Sequence, residues 1–288
     1  MRVPWGASLS RAASVLAHNF RGYVGNVGSG QTIHLFDAAP WLGRGLSAAA
    51  RRTAAESVVV PRTWHETGPW EWIGPPAAVG LLIIEGRIAR GVQLEGALSH
   101  GIEVLGCGDV LKPWSYEGRS SSLPANDDWV VLQRLELAVL DAAFIRATLR
   151  WPRISINLLD SVIERARSIS YLLTARQAPR LEARILLTLW HLADRWGRVT
   201  PEGVVVDLPK LTHEMIASMI AARRPSVTTG LRNLRELGLV EVQSRGRWLL
   251  RGDPATALST ISETSGAANG APSGSSTGRS DPTRSATT

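Results

Sequence analysis

The chain has 288 residues, enough for two compact domains, and 44% of them are apolar, so a real core can be buried. The formal charge of +7 and a sequence pI of about 10.6 suggest a polyanionic partner, most often nucleic acid. The single cysteine, Cys107, excludes an intramolecular disulfide and any cluster held by several cysteines of one chain, and no run approaches the ~20 apolar residues of a membrane span. The N-terminus has no continuous apolar core of signal-peptide type, so a cytoplasmic protein is expected.

Residues 1–52 are rich in Gly, Ala and Arg and read as an N-terminal extension with one short helix around Leu9–Phe20. Gly25-Asn-Val-Gly-Ser-Gly30 lacks the Gly-Lys-Ser/Thr ending of a phosphate loop and reads as a plain loop. Residues 53–150 carry short strand-like runs at Val58–Val60, Gly80–Ile84, Arg87–Val92, Ile102–Leu105 and Trp129–Leu140. Glycine turns separate them, among them Glu85-Gly86, which predicts an antiparallel sandwich or roll. Cys107, in the turn-like Leu105-Gly-Cys-Gly-Asp109, reads as a small half-buried residue rather than a redox thiol. Asp141–Arg150 suits a short helix before Trp151-Pro152.

Residues 151–178 then read as one long amphipathic helix. Its stripe, Ile154, Leu158, Val162, Ile169, Leu172 and Leu173, needs a partner, and a second copy of the same helix is the expected one. Residues 253–288 are mostly Ser, Thr, Gly, Ala and Pro and read as a disordered tail.

Residues 179–252 carry the functional signal. Leu181, Ile185, Leu189, Leu192 and Trp196 step along one helix face that ends at Gly197. A hairpin follows around Pro201-Glu-Gly203. Thr212 caps a short helix to Ile220, and Ala221-Ala-Arg-Arg224 is a turn. Pro225 opens a second helix, which buries Val227, Leu231, Leu234 and Leu237 and stops at Gly238. Leu239–Val242, a Ser244-Arg-Gly-Arg247 turn and Trp248–Leu250 form a wing. Two short helices, a tight turn and a hairpin predict a winged helix-turn-helix for double-stranded DNA. Lys210 to Arg251 holds eight Lys/Arg against three Asp/Glu, a net of +5 on a small piece. The expected DNA contacts are Thr212 and His213 on the first helix, Arg223, Arg224, Ser226, Thr228, Thr229 and Arg232 on the second, and Arg245 and Arg247 on the wing.

The run from Leu211-Thr-His-Glu-Met-Ile216 through Ala222-Arg-Arg-Pro-Ser-Val-Thr-Thr229 to Leu239-Val240 resembles the DNA-reading segment of the Crp/Fnr regulators. Leu81–Ile88 and Glu103–Val110 are similar to strands and turns of that family's β-roll. The fold implied is α+β: an N-terminal antiparallel, jelly-roll-like β-roll, a long central dimerisation helix and a C-terminal winged helix-turn-helix. The resemblance implies a bacterial transcription regulator that is a homodimer, binds a two-fold DNA site and contacts RNA polymerase. Members that bind cyclic AMP hold it with a Gly-Glu pair and a following Arg-Ser/Thr. Here the residues after Gly108-Asp109 are Val-Leu-Lys-Pro-Trp-Ser-Tyr, and Arg119-Ser120 could imitate only the second half. No cofactor or metal is therefore predicted, with Arg119 and Ser120 as the candidate effector site of an alternative, ligand-gated regulator. A remote alternative is a cupin-like metal enzyme, disfavoured because His65 and His100 are isolated and no His-X-His occurs.

Overall fold

The computed structural model describes residues 31–94, 100–114 and 125–269. The expected helix at 9–20, the loop at 25–30 and the candidate effector residues Arg119 and Ser120 lie outside them. The N-terminal half is a seven-stranded antiparallel sheet built from β1 (Thr32–His34), β2 (Val59–His65), β3 (Gly68–Pro69), β4 (Gly80–Leu94), β5 (His100–Gly106), β6 (Val110–Leu111) and β7 (Ala125–Leu140). Its order is β1-β2-β7-β4-β5, with β3 added on β7 and β6 on β4.

The paired strands β4 and β7 run from Gly80 opposite Leu140 to Leu94 opposite Ala125, with register shifts between Ile83 and Ile88. Glu85-Gly86 is thus not a turn between two strands but an irregularity inside one long strand. Bulges sharpen local twist and bend a ladder. One half of the ladder carries β2 and β6, and the other carries β3 and β5.

Strand alternation then sorts the side chains into three cores. Leu81, Ile83, Ile88, Leu105, Val131 and Leu135 come from both halves and meet Trp70 and Trp129 inside the roll. The alternate residues Leu82, Ala138 and Leu140 face outward onto α1 (Leu35–Ala38), α2 (Ala48–Ser57) and the helices after β7, α3 (Ala142–Thr148) and α4 (Pro152–Ala175). Leu35 and Leu42 are fully buried there, so residues 31–52 are part of the β-roll core and not an extension of it. Ala89, Val104, Val130 and Leu132, on the other half, face the C-terminal module.

The module comprises α5 (Leu181–Trp196), β8 (Arg198–Thr200), β9 (Gly203–Asp207), α6 (His213–Ile220), α7 (Arg224–Glu236), β10 (Val240–Val242) and β11 (Arg247–Leu250). Its wing is part of a four-stranded sheet, β10-β11-β9-β8. The module is pinned to the roll at Asp109, which is 3% exposed. Its carboxylate accepts from the Gly106 N–H at 2.8 Å and, through both oxygens, from Arg195 Nη2 at 2.7 Å. Arg87 and Arg195 both lie 4.5 Å from the Trp196 ring, and a Cβ at Gly106 would stand 2.8 Å from that indole. Cys107, between Gly106 and this joint, is exposed rather than half-buried.

The long helix α4 has two apolar faces. Ile154 and Leu158 are buried in the chain's own core, at 0% and 7% exposure, so these two cannot serve a dimer interface. Arg165 ties the same side to the roll through two hydrogen bonds of 2.8 Å to Glu103. The open apolar face keeps Val162, Ile169 and Leu173 of the expected stripe and adds Leu159 and Ile163, all at least 40% exposed, while Leu172 is half-buried. At the α4–α5 crossing Tyr171 stacks on His191, ring centroids 5.1 Å apart.

A disordered tail from residue 253 is also corrected. Asp253 accepts from the Ala255 and Thr256 amides and starts helix α8 (Pro254–Asn269). Ala257 and Ile261 are buried with the α5 core, and Arg180 donates to the Ile261 carbonyl. Residues 270–288 lie outside the described residues.

Ile261→Ala is accordingly expected to lower unfolding free energy by about 2–4 kcal/mol, read from urea denaturation. A second expectation concerns His191, 9% exposed, whose pKa burial, and then the Arg195 charge, push down to about 4. A histidine depressed in the fold contributes stability that is complete above the ordinary value of 6.5 and is lost as pH falls towards 4. Stability should therefore drop by roughly 3 kcal/mol across that window, and His191→Gln should flatten this part of the profile.

Candidate nucleic-acid interface

Local rules build the reading head. Thr212 caps α6, its hydroxyl accepting from the Met215 N–H at 3.2 Å. α6 ends on Ala221 in the left-handed region at φ 53°, which turns the chain sharply into α7. Arg223 takes the extended N-cap position of α7, and Pro225 sits in its first turn, where no backbone donor is wasted. Val227, Gly230, Leu231 and Leu234 form the buried side of α7. Gly230 allows a close crossing over α5, because a Cβ there would stand 2.7 Å from Ile185. Asn233 Nδ2 donates to Glu182 on α5 at 2.8 Å and fixes the angle of α7.

With that side buried, the expected contact residues Arg223, Arg224, Ser226, Thr228, Thr229 and Arg232 are all exposed on α7. Their hydrogen bonds are specific. Thr228 Oγ1 lies 3.1 Å from the Arg224 carbonyl and 2.9 Å from His213 Nδ1, within hydrogen-bond reach of both. His213 of α6 is thereby held beside the exposed face of α7. Burial first, then the Arg224 and Arg235 charges, lower its pKa. Thr229 Oγ1 donates to the Pro225 carbonyl at 3.3 Å. Arg232 lies 3.7 Å from Glu236, one turn along.

The wing turn brings Arg245, at φ 61°, next to Arg247. Both border a groove of about 470 Å³ with Arg198 and Asp207. Arg198 is absent from the sequence expectation, since it stands far from the wing in the chain. The signal for it is the strand register: Arg198 pairs with Val205 and Arg247 with Asp207 on the same strand, β9. Arginines from β8 and β11 therefore share one surface.

The two histidines weighed for a metal enzyme lie on different strands with separate partners. His65 Nε2 is 3.1 Å from Thr63 Oγ1, and His100 Nε2 is 3.5 Å from Asp128. Among the described residues no helix is long and apolar enough to cross a membrane.

Residues 183–255 match the Crp-like helix-turn-helix domain. Over about two thirds of the chain the fold is similar to that of solved proteins. A CooA mutant from Carboxydothermus hydrogenoformans is 16% identical at a TM-score of 0.50, covering 69% of this chain and 87% of its own. A cyclic nucleotide-binding domain containing protein from Listeria monocytogenes is 20% identical at 0.52, covering 66% and 88%. FixK2 from Bradyrhizobium japonicum is 13% identical at 0.52, covering 70% and 96%. No curated protein matches the sequence.

The turn at Ala221 gives a direct test of the helix-turn-helix geometry. A side chain in the left-handed region costs about 1–2 kcal/mol, part of which a more flexible unfolded chain offsets. Ala221→Gly should therefore stabilise the protein by roughly 0.5–1 kcal/mol in thermal or urea unfolding.

Proposed function

We propose that this chain, with the fold of the Crp/Fnr regulators and their type of helix-turn-helix domain, is a sequence-specific transcription regulator that binds a two-fold DNA site as a homodimer. The observation that carries the reading is the exposed, cationic N-terminal end of α7, held on α5 in a module that also carries an arginine-lined wing. Such a helix end fits the major groove, where Arg224 and Arg223 can offer paired donors to guanine O6 and N7. The amides of the α7 N-terminus and the arginines at 198, 245 and 247 suit phosphate oxygens, with Thr212 and His213 at the flanking backbone.

Dimerisation is assigned to the open α4 face. Leu159, Val162, Ile163 and Leu173 recur at helical spacing over about four turns and are left uncovered by their own chain. The regulator works without cyclic AMP in this reading: Lys112, Pro113 and Trp114 follow Asp109-Val-Leu111 where a Gly-Glu pair would hold the ribose, and Trp70 and Trp129 pack inside the roll. RNA polymerase is the expected protein partner, and the cytoplasm the compartment.

Selection from randomised duplexes tests the assignment. The wild type should select a symmetric site. Arg224→Ala should relax preference at one base pair of each half-site and cost about 1–3 kcal/mol per subunit. Arg247→Ala should weaken all sequences alike and flatten the salt dependence. Val162→Asp should give monomers by light scattering and lose tight binding. A wild type that selects no sequence, or a Val162→Asp protein that stays dimeric, contradicts the reading.

A further inference from the structure

The exposed side of α7 has an unusual centre. At 100° per residue, the direction opposite the buried Val227, Gly230, Leu231 and Leu234 passes through Pro225 and Thr229 in the first two turns. Arg232 and Glu236 continue the line in the last two and lie 3.7 Å apart. Arg224, Ser226 and Thr228 lie to either side. In the DNA-binding reading the N-terminal turns are those that meet base edges, so Pro225 and Thr229 would face the floor of the groove.

Neither residue offers a free donor. Pro225 has no N–H, and its carbonyl accepts the Thr229 hydroxyl proton at 3.3 Å. The Thr228 hydroxyl likewise has partners already, the Arg224 carbonyl at 3.1 Å and His213 Nδ1 at 2.9 Å. No Asn, Gln, Asp or Glu stands on α7 before Asn233, which is bonded to Glu182. The side chains that pair with adenine through two hydrogen bonds, or accept from cytosine N4 as carboxylates, are thus missing from this part of the helix. What remains at its centre is hydrocarbon: the Pro225 ring and the Thr229 methyl, one helical turn apart. The group in the major groove that answers hydrocarbon is the 5-methyl of thymine.

We propose that the Pro225–Thr229 couple is a thymine reader, with the Thr229 methyl in contact with a thymine 5-methyl in each half-site. This rests on the DNA-binding reading above and deepens it: arginine at the helix tip selects guanine, and the apolar centre selects thymine beside it. The opposite use of Thr229, with its oxygen accepting from adenine N6 or cytosine N4, would depend on the hydroxyl and not on the methyl.

The test separates methyl from hydroxyl on both partners. On the site selected by wild type, each thymine is replaced in turn by deoxyuridine, which lacks only the 5-methyl, and affinity is measured for wild type, Thr229→Val and Thr229→Ser. Burial of one methyl-sized group corresponds to about fourfold in affinity, so uracil at the contacted position should cost about fourfold per half-site and about sixteenfold at a symmetric site. Thr229→Val should keep this thymine-to-uracil ratio, and Thr229→Ser should reduce it to about one. Retention of the ratio by Thr229→Ser, or its loss in Thr229→Val, overturns the proposal. Thr229→Ala, which keeps the helix and lacks both groups, should behave as Thr229→Ser does. A wild type that selects a site yet ignores uracil at every position overturns the thymine assignment alone, whereas one that selects no site overturns the regulator reading with it.

Discussion

The buried carboxylate of Asp109 is the constraint on which the arrangement depends. It closes the β5–β6 turn through the Gly106 amide and holds Arg195 near the end of α5. A charge at 3% exposure is tolerable only when paired and hydrogen-bonded, and here both oxygens meet one guanidinium nitrogen. Trp196 follows in sequence and packs on Gly106, with the Arg87 and Arg195 guanidiniums each 4.5 Å from its ring. The apolar patch of Ala89, Val104, Val130 and Leu132 then seats the C-terminal module against the roll. The direction in which α7 points is therefore tied to the turn that carries Gly108 and Asp109, through α5.

The helix α4 has one face committed to the roll and one left open. The side with Ile154, Leu158 and Arg165 belongs to the roll, which fixes the helix before any partner arrives. The side with Leu159, Val162, Ile163 and Leu173 is left to the solvent in a single chain. Exposure of that much hydrocarbon along one helix is costly in water, and a second copy would cover it with the same residues by symmetry. The rigid attachment of one face gives the other a defined direction, which in the proposed dimer would set the spacing of two α7 helices.

Much of the module was legible in the sequence because its signals are local. The apolar steps from Leu181 to Trp196, the Thr212 cap, Pro225 in the first turn and Gly238 after α7 each act within a few residues. The errors arose where partners are distant in the chain. Leu35, Phe36 and Leu42 lie in elements too short for any periodicity, and only the outer face of β4 and β7 explains their burial. Leu258 and Ile261 are the two large apolar residues in a Ser-, Thr- and Ala-rich run, so composition hid a helix that α5 supports. In α4, Leu158 and Leu159 are adjacent and equally apolar, and the stripe could not say which faces home. Arg198 joins the wing only through β9, and the His213–Thr228 contact crosses the helix-turn-helix itself.

The recognition surface combines charge at its edges with hydrocarbon at its centre, a division suited to a partner with charged ribbons and a groove between them. Hydroxyl-radical footprinting of the full chain on its selected duplex tests that partner most directly. Two protected patches on one face of the duplex, about 10 base pairs apart from centre to centre, are expected of a symmetric dimer with one α7 in each major groove. No protection, or protection spread evenly around the helix axis, would contradict the assignment of α7 as a reader of DNA.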